Sequence, residues 1–179
     1  MKNYAKLKGS RLNAKSLIDI LKNSGYNLKL PIEVDEIIKI LGISIEKKPD
    51  FRKAKVTGSI TMKEGIPRVW INPMMNQSKE RERFTLAHEL GHFMLHIAPS
   101  FRDDYISDDN IEWNRDNNWD VKEMEANKFA AELLMPLEQI KEEFNTIDSS
   151  DREIKIEKLS EIFKVSRQAI QFRLQSIGV

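Results

Sequence analysis

Cysteine is absent from this chain, and that absence removes disulfides, thiolate nucleophiles and every cysteine-based zinc site together. Any metal must therefore be held by His and carboxylate side chains, and only three His occur. No apolar run approaches the roughly 20 residues that a bilayer span needs. The basic N-terminal stretch is not followed by the apolar core of a signal peptide. The expectation is a cytoplasmic protein with no membrane partner. An excess of charge is missing too: 29 Lys and Arg face 28 Asp and Glu, for a net charge of +1. No global field draws the chain to nucleic acid, so direct nucleic-acid binding is not expected without a local patch. What is present is the profile of a globular protein, 40% hydrophobic and 32% charged across 179 residues. That length supports one domain, with or without a small helical appendage.

Hydrophobic periodicity predicts a helix from Asn13 to Ser24, with Leu17, Ile18, Ile20 and Leu21 at helical spacing and Gly25 as the stop. A second helix opens at Pro31 and Glu33 and ends at Gly42. Alternation predicts a strand at Ile43–Glu46, then a hairpin from Lys55 to Asn72 that turns at Lys63-Glu64-Gly65. Helical patterning runs from about Lys79 to His96 and resumes over Val121–Met135 and Leu137–Phe144. Between these lies a polar, acidic stretch through Asp120 without periodicity. It reads equally as a cover for a cleft or an ordinary insertion. Two short helices from Ile154 to Ile177, separated by Lys164-Val165-Ser166, complete the pattern.

The chemistry is concentrated at His88-Glu89-Leu90-Gly91-His92, an H-E-x-x-H pattern inside a segment that is helical on independent grounds. Four residues advance a helix by about 400°, so the two imidazoles lie roughly 40° apart, one turn up, and can share one ion. Glu89 lies about 100° from His88, near such an ion without being tied to it. That is the position of a general base. Zn²⁺ with three protein ligands and one open position lowers the pKa of bound water toward about 7 and polarises a carbonyl. With three His available, chance would produce this pattern with a probability on the order of half a percent.

A third ligand has to come from elsewhere. The best candidate is Glu125, in a segment whose small and apolar residues suit a helix packed tightly on the first; Glu123 is the alternative. Glu132, two turns further along a similar face, and His96 are candidates for supporting contacts. His96 falls four residues after His92, too close for the third His of a metzincin. Tyr105 is a candidate for stabilising the transition state, weighed against its being an ordinary exposed loop tyrosine. Arg81 and Arg83 read as helix-surface charges.

The stretch Arg81 to His96, followed by Glu125-Ala126-Asn127-Lys128-Phe129-Ala130-Ala131-Glu132-Leu133-Leu134-Met135-Pro136, resembles the ImmA/IrrE family of metallopeptidases. The resemblance implies an α+β, zincin-like core in which a small antiparallel or mixed sheet packs on helices. It implies one Zn²⁺ per chain, with His88, His92 and Glu125 as ligands and Glu89 as base. It also implies a regulatory endopeptidase that cleaves a repressor protein of a mobile element or stress-response locus, the partner being a helix-turn-helix repressor. On this basis residues 1–150 form the peptidase domain and 151–179 a helical pair packed on it or appended to it. Zincin-type proteases present a sheet edge to substrate, and the strand Arg68, Val69, Trp70, Ile71, Asn72 is the candidate.

Two other function classes stay open. Leu159 to Leu174 reads like a helix-turn-helix, with Arg167 and Gln168 opening the recognition helix, although Lys164 stands where Gly is common. A zinc-binding, antitoxin-like partner or sensor is the other, and Glu89 argues against it because a structural site needs no base.

Overall fold

In a computed structural model of the chain, which describes residues 6, 7, 9–100 and 119–179, Asn13 opens the first helix. Its side chain accepts a hydrogen bond from the Ser16 N–H at 2.8 Å, satisfying one of the unpaired donors of the first turn. Helix α1 (Ala14–Asn23) then buries Ala14, Leu17, Ile18 and Leu21. Helix α2 (Val34–Ile40) buries Val34, Ile37 and Ile38. It leaves through Gly42 at φ 78°, a conformation that only glycine adopts without strain.

The chain next enters a three-stranded sheet: β1 (Ser44–Lys47), β2 (Gly58–Lys63) and β3 (Ile66–Ile71). Glu64 and Gly65, at φ 52° and 70°, supply the two positive dihedrals that join β2 to β3 as a tight hairpin. The strand order is β1-β3-β2, with β1 parallel and β2 antiparallel to β3. The expectation that Arg68–Asn72 forms a free edge is therefore corrected. Strand β3 is paired on both sides because β1 returns to dock beside it, and its main-chain donors and acceptors are already used in the ladder. The edge lying against the helix that carries His88 belongs to β2.

Ser78 caps helix α3 (Lys79–His92) by accepting from the Arg81 N–H, and Glu80 and Glu82 in the first turn suit the positive end of the helix dipole. Beyond His92 the chain widens into a π-helical turn, Phe93–Ile97, where periodicity predicts continued α-helix. Helices α4 (Trp119–Leu134) and α5 (Leu137–Thr146) follow, separated at Pro136, and then α6 (Arg152–Phe163) and α7 (Arg167–Ser176), joined through Lys164 at φ 50°. With these helices around one small mixed sheet, the fold is α+β. No helix among the described residues is long and apolar enough to cross a membrane.

One hydrophobic core runs from Leu7 through Leu174. It joins α1, α2 and the sheet to α3, α4 and the C-terminal pair, where Phe163, Ile170 and Leu174 are fully buried. The Arg173 guanidinium ties α7 to the end of α4 by donating from Nε to the Met135 carbonyl at 3.0 Å. Helices α3 and α4 approach each other closely. A Cβ placed on Gly91 would stand 3.1 Å from the Phe129 Cβ and 3.2 Å from the Ala126 Cα.

Glycine to alanine within a helix ordinarily stabilises by roughly 0.5–1 kcal/mol. At Gly91 the sign reverses: Gly91→Ala is expected to lower stability by about 1–3 kcal/mol, because α4 must move to admit the methyl group. Urea denaturation measures this, and a stabilised variant would show that the helices are not in close contact there.

Candidate metal centre

Because α3 is regular through His92, His88 and His92 fall on one face, one turn apart, with their Nε2 atoms 3.0 Å from each other. The close α3–α4 contact brings a carboxylate to meet them: Glu123 stands 3.3 Å from His88 Nε2 through Oε2 and 3.0 Å from His92 Nε2 through Oε1. These three residues are the one group of potential ligands found among the described residues, with their ligand atoms within 4.8 Å of one another. In tetrahedral zinc sites, bond lengths of about 2.0–2.1 Å place ligand atoms about 3.3–3.4 Å apart. The observed spacings of 3.0 to 3.3 Å sit close to that. Two imidazole lone pairs facing each other at 3.0 Å also require a proton or a cation between them. The donor set fits a divalent ion.

The carboxylate that the structure brings to the two histidines is Glu123; Glu125, the expected third ligand, is not in the group. Two residues along a helix rotate a side chain by about 200°, so the two glutamates cannot both face α3. Glu123 shares its face with Ala126 and Ala130, which are buried on the α3 side, whereas Glu125 points away and pairs with Arg11 at 2.5 Å. The i, i+3, i+7 alignment with the two alanines is the signal that distinguishes them.

Asn127, one turn after Glu123, completes the support. Its Oδ1 lies 3.0 Å from His88 Nδ1, in place to accept the Nδ1 proton, so that Nε2 would be the ring atom left to bind an ion. The ring of Phe84 stacks on His88 with centroids 6.5 Å apart. His96 contacts the ring of His92 at 5.5 Å and approaches the Lys122 carbonyl at 3.4 Å and Glu125 at 3.7 Å. It lies outside the three-residue group. Glu132, two turns along α4, lines a groove of about 1250 Å³ that meets the site through Phe84 and Asn127 and reaches Phe172 on α7. Tyr105 lies outside the described residues, as does most of the acidic stretch.

Glu89, 5% exposed, faces the outer edge of β2. The Asn72 N–H bonds the Thr57 carbonyl at 3.0 Å, which in an antiparallel pair turns the main-chain groups of Gly58, Ile60 and Met62 outward. The Ile60 N–H accordingly bonds Glu89. Gly58 lies so close that a Cβ there would stand 2.7 Å from Thr85 Cγ2 and 3.2 Å from Glu89 Oε1. Two hydrogen bonds hold this edge to α3: Thr85 Oγ1 donates to Asn76 Oδ1 at 2.7 Å in a buried bond, and Asn76 Nδ2 donates to the Thr57 carbonyl at 2.7 Å in a half-buried one.

Burial pushes the Glu89 carboxyl up to about 7, with the charge on His88 opposing and that on Glu123 reinforcing the rise. Glu123 behaves oppositely: hydrogen bonds from His88 and His92 hold it down at about 2 despite partial burial. Burial works against a charged His88, but its bonds and charge interactions with Glu123, Glu89 and Asn127 carry its pKa above the ordinary value. One carboxylate is thereby kept anionic, as a ligand must be, and the other is poised near neutrality to exchange a proton.

A family model for Peptidase M78, the IrrE N-terminal-like domain, matches residues 38–175. The matched stretch contains the sheet, α3, α4 and most of the C-terminal pair, and it excludes α1 and the segment before it. No curated protein matches the chain.

Glu123→Ala is expected to abolish stoichiometric zinc binding at micromolar protein, and Asn127→Ala to weaken it about 10–100-fold, whereas Glu125→Ala retains one zinc per chain. Competition with a chromophoric chelator checks all three, and loss of zinc from Glu125→Ala with retention by Glu123→Ala would reverse the assignment. A second expectation concerns pH. Because folding raises the Glu89 pKa from 4.5 to about 7, the native state binds protons more tightly. Stability is therefore lost as pH rises through that window. In metal-free protein, Glu89→Gln should be stabilising by on the order of 3 kcal/mol at pH 8 and near neutral at pH 4. Equal effects at both pH values in denaturation experiments would contradict the burial argument.

Proposed function

The chain belongs to the IrrE N-terminal-like family of peptidases, and on that footing we propose that it is a zinc-dependent endopeptidase. His88, His92 and Glu123 hold the ion and Glu89 is the general base. The observation that carries this reading is the convergence of two imidazoles and one carboxylate from two helices, with a buried glutamate of raised pKa beside them. A zinc ion held there supplies Lewis acidity to the scissile carbonyl and to the attacking water. Glu89 takes a proton from that water and returns it to the departing amine nitrogen, a transfer suited to a carboxyl whose pKa lies near 7. The Ile60 N–H and the packing of Gly58 fix the carboxylate's orientation during both steps.

Substrate is held, in this reading, along β2. An extended peptide laid against the outward main-chain groups of β2 beyond the Ile60 N–H, which Glu89 already occupies, would add a strand to the sheet and bring a peptide bond to Glu89. We assign the substrate class as a repressor protein of helix-turn-helix type, on the strength of the family resemblance. The groove that meets the site at Phe84 and Asn127, with Phe172 62% exposed along it, gives a folded protein further surface to rest on.

Direct DNA binding by α6 and α7 is the weaker reading. Arg167, which would open a recognition helix, is engaged by both Glu153 and Glu157, so its charge is neutralised within the protein. Phe172, large and apolar, stands exposed on the same helix.

Zinc-loaded protein incubated with a library of denatured cytosolic peptides, and separately with helix-turn-helix repressors, tests the proposal by mass spectrometry of new termini. Wild type is expected to cleave, and Glu89→Gln to keep its zinc while losing at least about 10²-fold in rate. Undiminished cleavage by Glu89→Gln would remove Glu89 from the mechanism. No cleavage of any repressor, with peptides still cut, would remove the substrate assignment alone.

A further inference from the structure

Residues 9–12, outside the stretch matched by the family model, run along the end of the helix that bears the two histidines. The π-helical turn Phe93–Ile97 and the residue after it present carbonyls to this segment. The Gly9 N–H bonds the Ala98 carbonyl at 2.8 Å, the Leu12 N–H bonds the Met94 carbonyl at 3.3 Å, and Arg11 Nε bonds the Leu95 carbonyl at 3.3 Å. The same guanidinium crosses to α4, where Nη2 donates to Glu125 Oε1 at 2.5 Å. Arg11 therefore joins the turn that follows His92 to a residue two positions beyond Glu123.

That position matters because of how the three donors are built. The separation of His88 from His92 is set by the pitch of a single helix, but the distance from either to Glu123 depends on where α4 lies. Glu123 sits only about one turn into α4, where a helix is least constrained. The buried seam against α3 begins at Ala126, and Val121 and Met124 are 54% and 69% exposed. Among the described residues, links from this first part of α4 to the body of the protein include the Arg11–Glu125 pair, the approach of His96 to Glu125 and to the Lys122 carbonyl, and the contacts of Glu123 with the two histidines themselves.

We propose that Arg11 is a positioning residue: by bonding the Leu95 carbonyl and Glu125 at once, it sets the distance between His92 and Glu123 and thereby the site's affinity for zinc. The inference rests on the zinc reading given above. Arg11 and Glu125 are 55% and 37% exposed, so the pair adds little to global stability. Its effect is concentrated on the metal site, which separates positioning from general support.

The test uses the full chain and zinc alone as the probe. Zinc affinity is measured by chelator competition, and melting temperature on the metal-free protein, for Arg11→Ala, Arg11→Lys, Glu125→Gln and the double variant Arg11→Ala/Glu125→Gln. Arg11→Ala is expected to bind zinc about 10-fold more weakly, in the range for partners that orient a ligand, with the metal-free melting temperature nearly unchanged. Arg11→Lys, whose single ammonium cannot span both acceptors, recovers only part of the loss. Glu125→Gln loses less than Arg11→Ala, and the double variant loses no more than Arg11→Ala. Zinc affinity within twofold of wild type for Arg11→Ala overturns the proposal, as do strictly additive losses or a fall in affinity matched by a large fall in melting temperature. If Arg11→Ala does not fold, Glu125→Gln decides: affinity equal to wild type overturns the proposal, and a loss with an unchanged melting temperature sustains it. Wild type that binds no zinc would defeat the functional reading itself, and this inference with it.

Discussion

The site depends on the closeness of α3 and α4 at Gly91. A helix can bring His88 and His92 together by its own geometry, but it cannot supply a third ligand on the same face at the required distance. That ligand has to arrive on a second helix whose backbone comes near the first. Gly91, opposite Phe129 and Ala126, permits the approach, because any side chain there would meet atoms at 3.1 Å. The glycine within the H-E-x-x-H segment thus serves the metal site through packing.

Electrostatics then separates two glutamates that share one small volume. Glu123 takes hydrogen bonds from both imidazoles and remains anionic down to about pH 2, whereas Glu89, hidden between α3 and the edge of β2, is pushed up to about 7. The different roles proposed for the two glutamates rest on their surroundings, since the two side chains are chemically the same. Burial of Glu89 is itself arranged by the sheet: the hairpin presents Gly58 and the Ile60 N–H to it, and the Asn76–Thr85 bond fastens that edge to α3.

What was legible in the amino-acid order was what depends on local geometry. The pairing of His88 with His92, the boundaries of α1, the break between α6 and α7, and the turn at Glu64-Gly65 all follow from spacing along a single element or from one dihedral requirement. What depends on how elements meet was not legible. The choice of Glu123 over Glu125 turns on the rotation of α4 about its own axis, which the α3 contact sets. Strand β3 looked like an edge because nothing in its residues records that β1 docks beside it. The link from Arg11 to Glu125 spans 114 positions of sequence, and no periodic pattern carries that distance. Asn127 occupies a middle ground. Its place one turn after Glu123 marks it as a partner for His88 once the correct glutamate is known.

The most direct test of the account is a crystal structure of zinc-loaded protein with anomalous data collected on both sides of the zinc absorption edge. The account predicts one strong peak per chain, within bonding distance of His88 Nε2, His92 Nε2 and a Glu123 oxygen, with Glu89 nearby and unbound. A peak coordinated by Glu125, or zinc-saturated crystals with no peak between α3 and α4, would contradict it.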